Sequence, residues 1–184
     1  MDQGLVPRRY AKALYEVALE RGQQTKLYEQ MLNVVQAFVA APSLSETMNN
    51  PFVSEADKAQ LITSAAKATK ADAMLADFIK LLTTNRRLGM VRDIAAAYIR
   101  IYRQANDIYS VEVIAAAPMD EAEQQRLRKL IQSHLGKGTM EYDFRVDPEL
   151  IGGFIVNIDN ERLDASVKNE LKQLRLKLLS NKKA

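Results

Sequence analysis

The chain holds a single histidine, His134, and no cysteine. Metal sites and Ser-His-type triads need several ligating or proton-transferring groups on converging elements. His134 lies near the end of a helix-patterned segment with no second group of that kind, and reads as a partly exposed helix-end histidine. Gly136-Lys137-Gly138-Thr139 has the tail of a phosphate-binding loop. Such a loop needs a glycine upstream of its Gly-Lys pair, a strand before it and a helix after it. Here Ile131 and Gln132 stand upstream, and the segment leaves a helix to enter a strand, so a Gly-rich helix stop is expected. Gly152-Gly153 has no third glycine opening a helix, and predicts a tight turn or close backbone approach at a strand start. Asp159-Asn160-Glu161 begins like a calcium loop, but Asp164 stands where that loop requires glycine, which leaves a hairpin turn. Arg86, Arg87, Arg100 and Arg103 could form a basic ridge, and read more simply as arginines lying over helix surface. No nucleophile, proton carrier and oxyanion donor converge. The sequence reads as a non-enzyme without cofactor or metal.

The elements around these residues fall into two regimes. Over roughly the first 105 residues, apolar positions recur with helical period. Tyr10, Ala13, Leu14, Val17 and Ala18 form one stripe, with Pro7 in the opening turn and Gly22 as the stop. Leu27, Met31, Val34, Val35 and Phe38 form a second, ending at Pro42, and a short helical turn is expected from Leu44 to Met48. Ser54, with Asp57 three residues on, predicts an N-cap for a helix through Leu61, Ile62 and Ala65. Asp72 is expected to cap the next, whose stripe is Leu75, Phe78, Ile79 and Leu82. After a break from Asn85 to Gly89, a long helix carries Val91, Ile94, Ala95, Tyr98 and Tyr102. Short helices with brief connections must bury their stripes on one another, which predicts a helical bundle.

Beyond Asn106-Asp107 the period becomes two. Tyr109, Val111, Val113 and Ala115 alternate, as do Met140, Tyr142, Phe144 and Val146, and then Phe154, Val156 and Ile158. A helix with Leu127, Leu130 and Ile131 inward separates the first two runs, and Val167, Leu171, Leu174 and Leu178 mark a last helix. The expectation is mostly α: a helical domain over 1–106, then a small α/β domain over 107–184 ordered β-α-β-β-α at least.

Composition agrees with a folded, mixed-charge protein: 47% hydrophobic, 27% charged, net +3. Cations mix with acids along most helices. The exception is the C-terminal run of Lys168, Lys172, Arg175, Lys177, Lys182 and Lys183, which faces only Glu170 and reads as a solvated helix end. No apolar run approaches the ~18 residues of a membrane span, and the first residues lack the layout of a signal or transit peptide. A membrane is therefore expected to be reached only through a partner.

Several segments resemble the ATP synthase delta subunit family, which includes the mitochondrial oligomycin sensitivity-conferring protein. Arg9-Tyr10-Ala11-Lys12-Ala13-Leu14-Tyr15 is similar to the family's opening helix, and Asn85-Arg86-Arg87-Leu88 resembles its "NgRL" turn. Val146-Asp147-Pro148-Glu149-Leu150-Ile151-Gly152-Gly153-Phe154, then Asp164-Ala165-Ser166-Val167 and the Leu171/Leu174 helix, resemble its C-terminal signature. Ala165 departs from the glycine common in that last turn, and 157–162 lacks a common glycine.

The resemblance implies a six-helix bundle followed by a small α/β domain, and a non-catalytic stator connector of F-type ATP synthase. By that analogy the bundle holds the N-terminal helices of the alpha subunits in a groove between its first and fifth helices. One wall would be Tyr10, Ala13, Leu14 and Val17, the other Leu75, Phe78, Ile79 and Leu82. Leu14→Asp or Phe78→Asp would then release the head while sparing the fold. The C-terminal domain would meet the b subunits through Leu171, Leu174 and Leu178. The implied location is peripheral, on the cytoplasmic side of a bacterial cell membrane, with no nucleic acid bound. A basic RNA- or ribosome-associated protein using Arg86, Arg87 and the C-terminal lysines is the rival reading, marked by steep salt dependence.

Overall fold

The computed structural model describes residues 4–68, 72–159 and 161–181, with side chains as far as residue 176. The chain is mostly helical with one four-stranded sheet, and forms two compact units, 1–105 and 106–184.

Among the described residues of the first unit the α-helices are α1 Leu5–Glu20, α2 Gln24–Ala40, α3 Ser43–Asn49, α4 Glu55–Ala65, α5 Ala73–Thr84 and α6 Val91–Ala105. A single 3-10 turn, Leu88–Met90, leads into α6. α6 is the central packing element, burying Val91, Ile94, Ala95, Tyr98, Ile99 and Tyr102 against α1 and α2. α5 packs on α4 and the 3-10 turn.

Tyrosines join α1, α2 and α6. Tyr28 and Tyr102 stack at 4.2 Å between ring centres, and Tyr15 meets Tyr98 edge-on at 5.9 Å. Each buried hydroxyl needs a partner, since an unpaired one costs about 1–3 kcal/mol. Tyr98 Oη donates to the Gln24 carbonyl at 3.1 Å, and Tyr102 Oη shares a hydrogen with Thr25 Oγ1 at 3.1 Å. Burial, with the neighbouring Tyr15 and Tyr102, pushes the Tyr98 phenol well above its ordinary pKa, so it stays a donor.

Three helix ends share one device. At the end of α1, Gly22 has φ +63, its N–H donates to the Leu19 carbonyl and the Gln23 N–H to the Ala18 carbonyl. This double bond satisfies carbonyls that the helix leaves unpaired, and it demands a left-handed residue. Lys67 (φ +51) takes that place after α4 and Arg86 (φ +54) after α5. At the start of α4, Ser54 Oγ accepts from the Asp57 N–H at 3.1 Å and donates to Asp57 Oδ2 at 2.6 Å. Asp72 departs from expectation: it makes no cap bond to α5, because its buried carboxylate pairs with Lys26 of α2. A charge removed from water is held by an opposite charge in preference to a neutral amide.

The stripe of α1 also needs correction. The buried residues are Pro7, Ala11, Leu14 and Ala18, while Ala13 and Val17 are exposed and Tyr10 is half-buried. Alanine carries no directional signal, so the apolar arc read from sequence was centred one flank away from the true core face.

The second unit contains β1 Ile108–Ala115, α7 Glu121–Leu135, β2 Thr139–Val146, β3 Gly153–Ile158, β4 Glu161–Ser166 and α8 Val167–Asn181. The sheet order is β2-β1-β3-β4, with β1 parallel to β2 and the other pairs antiparallel. α7 supplies the crossover that a parallel pair requires. It starts at Asp120, which with Glu123 forms a reciprocal capping box, and stops at Gly136 (φ +72). Val111, Val113, Val156 and Ile131 form the core, flanked by Tyr142, Phe144, Phe154 and Leu127. On the opposite sheet face Glu112 pairs with Arg145 and accepts from Asn157 Nδ2 at 2.8 Å.

Leu130, expected inward, is 68% exposed. β4 is an addition to the expected order. Its sequence, Glu161-Arg162-Leu163-Asp164-Ala165-Ser166, shows no apolar alternation because it is an edge strand paired only with β3.

Candidate partner-binding surfaces

One contact joins the end of α5 to α1, and another joins its start to α2. Asn85 Nδ2, at the end of α5, donates to Tyr10 Oη at 3.3 Å, and the Arg87 guanidinium lies over the Tyr10 ring. Near the other end Lys26, in the first turn of α2 just after α1, pairs with Asp72 just before α5. The two helices therefore run antiparallel. On α5, Leu81 lies one turn before Asn85 on the same face, and on α1, Val17 lies two turns beyond Tyr10 on the same face. Val17 is 39% exposed and Leu81 49%, and Ala13 is exposed as well.

The expected wall residues divide by burial. Ala13, Val17 and half-buried Tyr10 face outward. Leu14, Leu75, Phe78, Ile79 and Leu82 are all buried in the helical core. Leu81, which the sequence reading passed over, is the exposed apolar residue of α5, and its signal was a leucine off a stripe that is already complete.

In the second unit α8 leaves its apolar residues open. Leu171 is 57% exposed and Leu174 55%, with Val167 a turn earlier on the same row. Leu178, expected to continue that row, lies outside the residues whose side chains are described, as do Lys177, Lys182 and Lys183. Beside α7 a groove of about 600 Å³ runs over the sheet, lined by Leu127, Leu130, Ile131, Phe154, Ile158 and Leu163. A second hollow of about 660 Å³ shares Leu127 and Phe154 and extends to Leu150 and Ile151.

The residues weighed for chemistry stay apart. His134 is exposed at the rim of the α7 groove, and among the described residues no group of acidic, histidine or cysteine side chains could hold a metal. Arg103 donates through Nε to Tyr28 Oη at 3.1 Å, whereas Arg87 sits on Tyr10 before α6 begins, so no single ridge joins them. No helix among the described residues is long and apolar enough to cross a membrane.

Residues 6–178 match the family described as ATP synthase delta (OSCP) subunit. A Bacteroides thetaiotaomicron protein named ATP synthase subunit delta is 36% identical, over 95% of this chain and 94% of that protein. One of the same name from Gloeobacter violaceus is 33% identical over 96% of each. The chain belongs to the ATP synthase delta (OSCP) subunit family. It is a non-catalytic, structural subunit of F-type ATP synthase and a component of the peripheral stalk, serving ATP synthesis coupled to ion transport. Its fold agrees with that of a chain in the cryo-EM structure of Toxoplasma gondii mitochondrial ATP synthase hexamer, with TM-score 0.73 and 23% identity over 94% of this chain and 97% of that one.

The family's C-terminal signature is, physically, a brace that starts α8. Gly153 has φ +81, and a Cβ there would overlap the Ala165 carbonyl oxygen. Glycine lets β3 and β4 close at that point. Asp164 Oδ1 accepts from Ser166 Oγ at 2.6 Å and from the Ser166 N–H at 3.1 Å. Ser166 Oγ in turn accepts from the Asn169 N–H at 3.3 Å, which caps α8.

Proposed function

We propose that this delta subunit is a two-ended connector whose six helices act as one bundle and receive an N-terminal helix of the alpha subunit along α1 and α5. The observation that carries this reading is the pair of exposed apolar side chains, Val17 on α1 and Leu81 on α5, two helices joined by the Asn85–Tyr10 hydrogen bond. An amphipathic helix laid there would gain apolar anchors a turn apart, fixing both its axial position and its rotation. A stator contact must resist both motions. Within the expected set, Ala13 and Val17 touch the partner, Tyr10 closes one end, and Leu14, Leu75, Phe78, Ile79 and Leu82 support the trough from below.

The unit over 107–184 is proposed to meet the b subunits of the stalk through the open row of α8, Leu171 and Leu174, continuing to Leu178. Held at both ends in one assembly, the connector is retained beyond either contact alone, because the second contact forms at high effective concentration. Its place would be peripheral, on the cytoplasmic face of a bacterial membrane, reached through these partners. The test is calorimetry of the full chain with a synthetic alpha N-terminal peptide and, separately, with the soluble part of b. Val17→Asp with Leu81→Asp should abolish the first binding and spare the second, and Leu171→Asp with Leu174→Asp the reverse. Binding that survives in both cases removes the assignment.

A further inference from the structure

We infer that the outer edge of β2 accepts one more strand, supplied by another protein as an extended segment in which apolar residues alternate with lysine or arginine. β2 lies at the opposite edge of the sheet from β4, after which α8 begins, so this surface is separate from the α8 row.

The direction of each backbone group on β2 follows from the two bonds that bracket it. The Thr139 N–H donates to the Asp107 carbonyl at 2.9 Å, and the Asp147 N–H to the Ala115 carbonyl at 2.9 Å. The N–H and C=O of one strand residue point to the same side, and the side alternates along the chain. Thr139, Glu141, Asp143 and Arg145 therefore bond to β1, while Met140, Tyr142, Phe144 and Val146 turn their N–H and C=O groups away from it. β2 pairs with β1 alone, in unbroken register from Thr139 to Val146.

Proteins blunt such an edge with proline, lysine or a bulge, because its open backbone groups are a template for pairing. β2 has none of the three. On its α7 side Met140, Tyr142 and Phe144 are only partly buried, and Val146 is 41% exposed. A further strand would cover them. Arg128 of α7 lies over the Tyr142 ring at 4.2 Å, so that side of an added strand suits apolar residues and repels basic ones.

The other row of β2 carries Glu141, Asp143 and Arg145. Arg145 pairs with Glu112 of β1, and Asp143, 3.9 Å from Arg145 Nε, keeps 70% of its side chain exposed. One cation among Glu112, Glu141 and Asp143 leaves this face acidic, and opposite charges across neighbouring strands attract. Main-chain bonds along the edge then supply affinity, and the alternation of apolar and basic side chains supplies specificity. A second copy fits less well. Antiparallel self-pairing centred on Tyr142 sets Glu141 of each copy against Asp143 of the other, and centring on Asp143 sets that residue against itself. Centring on Phe144 avoids both clashes but pairs only residues 142–146.

The experiment follows hydrogen exchange by NMR in the isotopically labelled full chain. Alone, its amides should exchange slowly at Glu141, Asp143 and Arg145 and fast at Met140, Tyr142 and Phe144. A short capped peptide alternating valine with lysine should slow the second set, and one alternating valine with glutamate should not. Asp143→Lys should keep the circular dichroism spectrum and weaken the lysine peptide about three- to tenfold at low ionic strength, with the difference closing in ~1 M salt. Slow exchange at Met140, Tyr142 and Phe144 before any peptide is added overturns the proposal: in a chain sedimenting as a monomer the edge is already closed, and in a dimer it belongs to a second copy. Absence of slowing by the lysine peptide, equal slowing by the glutamate peptide, or equal affinity of parent and variant at low salt overturns it as well.

Discussion

The guanidinium of Arg87 rests 5.7 Å from the centre of the Tyr10 ring, and Asn85 reaches the hydroxyl of the same tyrosine at 3.3 Å. One residue of the first helix is thus gripped on face and edge by the turn that ends the fifth. The grip depends on Arg86 adopting φ +54, because that turn swings Arg87 back along the helix so that its N–H bonds the Leu82 carbonyl at 2.8 Å.

Arg86 strains the position it occupies. A left-handed conformation disfavours any residue bearing a Cβ by about 1 kcal/mol, an expense glycine avoids. Arg86→Gly should therefore raise the stability of the helical unit by roughly 0.5–1 kcal/mol, shifting thermal unfolding up by about 2–6 °C. Urea and thermal unfolding followed by circular dichroism would check this, and a fall in midpoint would contradict the turn geometry.

Burial separates residues that hold the fold from residues free to meet a partner. Leu14 and Phe78 are each only 6% exposed, so Leu14→Asp or Phe78→Asp places an unpaired charge in the core. Either change should destabilise the helical unit by more than about 3 kcal/mol, and any loss of binding would then report unfolding. Val17→Asp and Leu81→Asp should leave the unfolding midpoint within about 2 °C and still lose the alpha peptide. A large midpoint shift in the second pair would show that these side chains are core after all.

Gly153 is the position in the sheet least able to accept a side chain. Its φ of +81 disfavours any Cβ, and the Ala165 carbonyl fills the space one would take. Gly153→Ala should cost the C-terminal unit about 2–4 kcal/mol and separate β4 from β3. Hydrogen exchange at Phe154 to Asn157 and Arg162 to Ser166 is the direct readout; unchanged protection would refute the close approach.

Asp164 links the start of α8 to pH. Its carboxyl is held below the ordinary aspartate value first by the Ser166 hydroxyl, then by the Ser166 backbone N–H, and further by Arg162. A group whose folded pKa is lowered contributes stability that is complete above its unfolded value, near 3.9, and is lost as pH falls through the folded one. The cap of α8 should therefore persist at neutral pH and loosen only in strong acid. Carboxyl-carbon NMR should show Asp164 titrating low in the parent and closer to the ordinary value in Ser166→Ala. Identical titration in both proteins would exclude the hydroxyl as the main cause.

Leu171 and Leu174 are free of the core, so Leu171→Asp with Leu174→Asp should leave the sheet unit's unfolding midpoint nearly unchanged. Loss of the soluble b segment without loss of fold, measured by calorimetry alongside circular dichroism, is the expected outcome.

Local patterns in this chain were sufficient to state where helices give way to strands, because the period of burial changes from 3.6 to 2 and that change is written in consecutive residues. They also settled Gly22, Gly136 and the Ser54 cap, whose bonds close within a few residues. The family signature was legible for the same reason. Beyond this, neighbours distant in sequence decided the outcome. Asp72 abandons its helix cap because Lys26, from another helix, lies against it. β4 forms from an unpatterned run because β3 offers a free edge. Which side of α1 is buried, and hence that Val17 and Leu81 remain open while Leu14 and Phe78 do not, depends on where α6 and α2 pack. A helix carries its apolar arc in its own residues, but only the surrounding helices determine which part of that arc water can still reach.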